Sequence, residues 1–218
     1  MSAPAARGKK RMGEGPQKRI GVFGGSFDPP HKAHVALAEA AVEQLELAAL
    51  YIVPTGQAWH KARVLSAPEH RLAMTQLAFA DLPGVVVDDR ELRREGPSFT
   101  IDTLEALQAD HPGAQIYLII GADQFAALEN WHRWEDILDI AIICIANRVH
   151  PERANPGFDP ASRARHAVLT LHLPLMAVSA TNIRRQIGSG DADPEEIAQL
   201  VSEPVARYIE RHRLYLSR

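Results

Sequence analysis

Ile20-Gly21-Val22-Phe23-Gly24-Gly25-Ser26-Phe27-Asp28-Pro29-Pro30-His31-Lys32-Ala33-His34 is the stretch that decides the fold. Ile20, Val22 and Phe23 make a brief, β-rich apolar run, which predicts a short buried strand. Gly24-Gly25 ends it, and Pro29-Pro30 stands just ahead of an alanine- and leucine-rich helical pattern. Asp28 is expected to cap that helix, and a proline in a first helical turn loses no hydrogen bond. The stretch therefore reads as strand, glycine turn and helix N-terminus. Its two histidines, three residues apart, fall on one helical face.

Such an element favours phosphate. Glycines let backbone N–H groups approach an anion, a helix N-terminus adds unpaired donors and a positive dipole, and two imidazoles supply more donors. It is not a Walker loop, because no Lys-Ser/Thr follows the glycines, and the G-x-G-x-x-G dinucleotide fingerprint is absent. His31 and His34 could instead be two metal ligands. Zinc needs a third protein ligand, and no Cys/His/Asp spacing in the chain offers one. The eight other histidines are scattered, and of these only His60 sits in a candidate binding loop.

Working outward, Val35 to Leu47 predicts a helix and Leu50–Val53 a buried strand ended by Pro54. A loop with Trp59-His60-Lys61 precedes a helix over 67–81. Val85–Val87 is expected as strand, Thr100–Asp110 as helix and Ile116–Ile120 as a central strand running into Gly121-Ala122-Asp123. A short helical region to Leu138, a strand around Cys144, a polar stretch over 147–165 with three prolines, a strand over Val168–Leu173, a helix over Thr181–Gly188 and one or two helices over 194–213 complete the order. Apolar strands alternating with helices predict an α/β fold, a Rossmann-like open parallel sheet with helices on both faces. In such sheets ligands sit beyond the carboxyl ends of the strands, which is where each of these polar motifs falls.

At 218 residues, with 46% hydrophobic and 23% charged residues, the chain has the composition of an ordinary soluble globular protein. Six basic side chains against Glu14 give residues 1–19 a net +5. With −3 overall, residues 20–218 carry −8. Residues 1–19 are expected as a disordered basic tail and 20–218 as a single domain ending in helices. The acidic body argues against nucleic acid as a partner. No apolar run approaches the roughly 18 residues of a membrane span. The single cysteine, Cys144, in an apolar strand, suits packing and a reducing cytoplasm. The chain by itself sets no oligomeric state.

Residues 24–34 resemble the G-G-[ST]-F-D-P-x-H-x-G-H signature of the nucleotidyltransferase superfamily, most closely its bacterial nicotinate-mononucleotide adenylyltransferase branch. Ala33 stands where that family has glycine. Val178-Ser179-Ala180-Thr181-Asn182-Ile183-Arg184 resembles its I-S-[AS]-T-x-[IL]-R segment. By itself that segment could be a helix capped by Ser179 with a solvated Arg184. The resemblance makes Ser179, Thr181 and Arg184 part of a triphosphate clamp with Gly24, Gly25, Ser26, Phe27, His31 and His34. Ile119-Ile120-Gly121-Ala122-Asp123 resembles I-I-G-x-D, which implies that Gly121 and Asp123 meet the adenosine and that Asp123 binds the ribose hydroxyls. Asp123 could equally cap the next helix. Pro97-Ser98-Phe99-Thr100 and Asn130-Trp131 resemble segments that hold the pyridine ring, although Trp131 alone reads as core. His60-Lys61 matches the end of a P-P-H-[KR] loop whose prolines are here Ala58-Trp59. It implies contacts to the mononucleotide phosphate. Arg148 stands where the family often has R-P-G.

The resemblance implies AMP transfer from ATP to nicotinate mononucleotide, with catalysis by His31, His34 and Arg184 and with Mg²⁺ carried on the ATP phosphates rather than on a protein metal site. Rivals are the same chemistry on the amidated mononucleotide, phosphopantetheine or FMN, a non-catalytic nucleotide-binding module, and a metallohydrolase built on His31 and His34. The missing glycine fingerprint disfavours a nicotinamide-dependent oxidoreductase.

Overall fold

The computed structural model describes residues 17–56, 65–147, 168–174, 176–190 and 193–216. Among them the chain runs β1 (Arg19–Gly25), α1 (Lys32–Gln44), β2 (Ala49–Pro54), α2 (Pro68–Phe79), β3 (Val85–Val87), α3 (Arg90–Arg93), α4 (Thr100–Asp110) and β4 (Gln115–Gly121). It continues through α5 (Ala122–Ala126), a 3₁₀ turn (Leu128–Asn130), α6 (Trp134–Ile140), β5 (Ala141–Asn147), β6 (Leu169–His172), α7 (Ala180–Gly188), α8 (Pro194–Leu200) and α9 (Glu203–Arg211).

The strands form one sheet in the order β3-β2-β1-β4-β5-β6, and every neighbouring pair is parallel. This is the Rossmann-like open sheet that the apolar runs predict. The order reverses between β1 and β4, where Phe23 faces Ile119 in register. A crevice opens at such a point, outside the carboxyl ends of the two strands.

Strand side chains alternate between faces, so each strand feeds two core layers. Phe23, Ile52 and Ile119 pack with Leu37 and Ala41 of α1 and Phe79 of α2 on one face. Val22, Leu118 and Ile120 pack with Ile101 and Leu104 of α4 and Ile137 of α6 on the other. Helices thus cover both faces. A third cluster joins Met74 of α2 to Ile183, Ile197, Val205 and Ile209 of α7, α8 and α9, so the C-terminal helices dock on α2. Burial of each large apolar side chain contributes about 1.5–3 kcal/mol.

Several boundaries differ from expectation. Helix α1 begins at Lys32 rather than Val35, because His31, with φ −140° and ψ 170°, already occupies the N-cap. Asp28 is therefore not the cap. It lies three residues upstream, 1% exposed, with its carboxylate turned inward. The four-residue α3 was not expected, since one turn leaves no periodic signal. The sheet starts at Arg19, inside the stretch expected as tail, and Lys18 already accepts a backbone bond from Gln115. Residues 1–16 and most of the polar stretch after β5 lie outside the described residues. No described helix is long and apolar enough to cross a membrane.

Cys144 is fully buried in β5, and burial pushes its thiol up to about 12. At pH 8 the folded protein should therefore react with a thiol reagent on the order of 10²-fold more slowly than the denatured chain. A stopped-flow labelling comparison with and without denaturant checks this.

Candidate active site

The glycines at the end of β1 do different jobs. A β-carbon on Gly25 would lie 3.0–3.2 Å from the ring of Phe27. That ring cannot retreat: it is 1% exposed, with Phe23, Phe79 and His34 at centroid distances of 5.5, 5.9 and 5.2 Å. Gly25 thus makes room for Phe27, whose own backbone adopts φ +45° to turn the loop. A β-carbon on Gly24 would meet only the Val53 carbonyl, at 4.0 Å. Nothing in the protein's own packing requires glycine there. The bare, exposed backbone at the strand end suits a partner arriving from outside.

His31 and His34 then open α1. Their rings stack at 3.7 Å with planes 20° apart. The His31 N–H donates to His34 Nδ1 at 3.1 Å. That bond uses the Nδ1 lone pair, so the neutral ring carries its proton on Nε2 as a donor. The His34 N–H donates to the His31 carbonyl at 2.8 Å. Lys32 and Ala33, the first two positions of the helix, have no intrahelical acceptor for their N–H groups and add further donors and the positive end of the dipole. Among the described residues no group of three His, Cys, Asp or Glu gathers to hold a metal ion.

The loop between β1 and α1 is held from four directions. Tyr215, near the carboxyl end, donates its hydroxyl proton to Asp28 Oδ1 at 2.7 Å, and the Ser66 N–H donates to Oδ2 at 3.2 Å. Arg184 Nη1 donates to the Asp28 carbonyl at 2.7 Å, while its Nη2 donates to Thr181 Oγ1 at 3.1 Å. Arg71, 2% exposed, donates through Nη1 to the carbonyls of Ser26 at 3.1 Å and Thr55 at 2.7 Å, and through Nε to that of Ser66 at 3.1 Å. Ser179 caps α7 as expected, accepting from the Asn182 N–H at 3.2 Å. The segment over 178–184, far away in sequence, is therefore seated on the β1 loop.

At the end of neighbouring β4, Gly121 takes the N-cap position of α5 and Asp123 lies exposed in its first turn. The Asp123 carboxylate folds back over Gly121, where a β-carbon would lie 2.6 Å from Oδ1. Phe99 and Thr100 stand at the start of α4. The Phe99 ring lies 4.4 Å from that of His132, which brings this segment against Asn130-Trp131. Phe99 and Trp131 are partly buried against the core layer under α4 and α6. The histidine loop and this aromatic group thus stand on opposite faces of the sheet at the same edge. His60, Lys61 and Arg148 lie outside the described residues.

Sequence reasoning missed Arg71, the inward role of Asp28, and Glu91. Arg71 carried a signal, since it shares a helical face with Met74 and Thr75, both fully buried. Glu91 sits buried in α3, accepts from Thr103 Oγ1 at 2.8 Å and from the Gly56 N–H, and so ties the end of the β2 loop to α4. Burial raises its carboxyl above the ordinary range, with the Thr103 bond opposing.

A family model described as cytidylyltransferase-like matches residues 22–186. A relative in Albidiferax ferrireducens, named a probable nicotinate-nucleotide adenylyltransferase, is 53% identical over 91% of this chain and 98% of its own length. The chain belongs to this family. Another probable nicotinate-nucleotide adenylyltransferase, from Methylibium petroleiphilum, is 39% identical over 94% of the chain and 95% of its own length. Among solved structures, the Plasmodium falciparum nicotinic acid mononucleotide adenylyltransferase complexed with APC superposes with a TM-score of 0.74 at 19% identity, covering 91% of this chain and 98% of that one. The complex of that protein with NaAD gives 0.72. At such identity the likeness speaks for the fold.

The two glycines should separate on substitution. Gly25→Ala overpacks the Phe27 ring and should lower Tm by about 4 °C or more, whereas Gly24→Ala should stay within about 2 °C of the parent protein. Differential scanning fluorimetry of both variants checks the contrast.

Proposed function

We propose that the protein transfers AMP from ATP to nicotinate mononucleotide, giving nicotinate adenine dinucleotide and pyrophosphate, a step of NAD biosynthesis. The observation that carries this reading is the Arg184 guanidinium seated on the Asp28 carbonyl, which joins the 178–184 segment to the histidine loop. The names of the relatives at 53% and 39% identity supply the choice of acceptor.

The chemistry asks little covalent help. A phosphate oxygen of the mononucleotide, whose second pKa is about 6, is mostly ionised at neutral pH and needs no general base. It forms a bond to the α-phosphorus of ATP as the bond from that phosphorus to the bridging oxygen breaks. The electron pair leaves with pyrophosphate. The protein's part is in-line positioning and cancellation of charge on the α-phosphate and the leaving group. In this reading His31 and His34 donate to the phosphates together with the backbone at Gly24, Gly25, Ser26 and Phe27, while Arg184, Ser179 and Thr181 hold the far side. Gly121 and Asp123 meet the adenosine. Phe99, Thr100, Asn130 and Trp131 hold the pyridine ring, and His60 and Lys61 hold the mononucleotide phosphate. Mg²⁺ enters as part of the ATP substrate, carried on its phosphates. The buried free thiol suits a reducing cytoplasm.

Pyrophosphate release with ATP and Mg²⁺ tests this, comparing nicotinate mononucleotide, its amide, phosphopantetheine and no acceptor. Release that depends on the nicotinate acceptor, with the dinucleotide recovered, is expected. Preference for another acceptor would contradict the pocket assignment. His34→Ala should keep the fold and lower kcat by on the order of 10²-fold or more, as loss of a transition-state donor does.

A further inference from the structure

We propose that Tyr215, near the carboxyl end of the chain, is a positioning residue for this reaction: through its bond to Asp28 it latches the β1–α1 loop in the shape that presents Gly24 to His34 to the phosphates. The proposal rests on the adenylyl-transfer reading above.

The loop has an intrinsic problem. It must receive a polyanion, yet it contains a buried carboxylate, Asp28, four positions after Gly24. Left loosely held, that charge would turn toward solvent and repel the incoming phosphates. Here its two oxygens are engaged, one by the Tyr215 hydroxyl at 2.7 Å and the other by the Ser66 N–H at 3.2 Å. The carboxylate is thereby fixed inward while the Asp28 carbonyl faces Arg184. Burial and the neighbouring Asp28 carboxylate push the Tyr215 hydroxyl well above the ordinary tyrosine range, so it remains a donor at any working pH.

The chain end is shaped for this contact. After α9, Arg213 and Tyr215 both adopt left-handed backbone conformations, with φ of +49° and +67°. Non-glycine residues persist in that region when their surroundings hold them there. The turn is fixed by bonds from the Arg213 N–H to the Glu210 carbonyl and from the Leu214 N–H to the Ile209 carbonyl, both at 3.0 Å. Leu214 and Tyr215 pack on the cluster that joins α2 to the C-terminal helices. The segment after α9 thus reaches the Asp28 side chain through one hydroxyl, beside the Arg184 bond from α7 to the Asp28 carbonyl.

The test uses the full chain carrying Tyr215→Phe, which keeps the ring and removes only the donor. Tyr208→Phe, in the preceding α9, serves as a control, since the Tyr208 hydroxyl pairs with His70 at 3.0 Å and not with the loop. Tyr215→Phe should lower kcat about tenfold with the KM for ATP within about threefold, the signature of misplaced reacting groups. Amide hydrogen exchange should quicken over residues 24–34 and stay unchanged in β4 and α4. Parent values of kcat and loop exchange in Tyr215→Phe would overturn the proposal. So would faster exchange across the whole sheet, which marks a merely structural tie, or an equal loss in Tyr208→Phe. If the parent protein made no dinucleotide, the reaction would be refuted, and unchanged loop exchange in Tyr215→Phe would still refute the latch.

Discussion

One buried carboxylate organises the site. Asp28 accepts from Tyr215 after α9 and from Ser66 just ahead of α2, and its carbonyl accepts from α7. A charge taken out of water is tolerated only when its lone pairs are satisfied, and each hydrogen bond to such a charged group contributes about 1.5–3 kcal/mol. Three segments distant in sequence must therefore all arrive before the loop after β1 is stable. Arg71 imposes the complementary demand, a buried cation whose donors are met by carbonyls of Ser26, Thr55 and Ser66. Loop, β2 end and α2 start are locked together by a pair of groups that never need to touch a ligand.

This arrangement explains how a rigid sheet serves two substrates. The reversal of strand order between β1 and β4 sets the crevice, and the two core layers carry different equipment to its rim. On the α1 and α2 side stand glycine backbone, stacked imidazoles and a helix N-terminus, all suited to phosphate. On the α4 and α6 side stand Phe99 and Trp131, suited to a flat ring. In the proposed reaction this separation would let charge neutralisation and ring recognition be tuned independently.

Much of this was legible in the chain. Apolar runs without alternation specified parallel strands, and Ile20 to Phe23, Leu50 to Val53 and Ile116 to Ile120 are strands as read. The capping of α7 by Ser179 followed from residue type alone. What failed was long-range polar bonding. Asp28 has the residue type of a helix cap, and only the positions of Ser66, Arg184 and Tyr215 turn it inward. Arg71 reads as one more surface charge until its helical face is compared with Met74 and Thr75. Short elements such as α3 carry no period, and its buried Glu91 gains meaning only from Gly56 and Thr103.

In the proposed reaction His34 and Arg184, on elements far apart in sequence, act on one phosphate chain in one transition state. A double-mutant cycle in kcat/KM for His34→Ala and Arg184→Ala tests it most directly. Residues that act as a unit are non-additive, so the double variant should fall short of the summed losses by about 1.4 kcal/mol or more, a factor of ten. Strictly multiplicative losses would contradict the account and leave the histidine loop and α7 as separate sites.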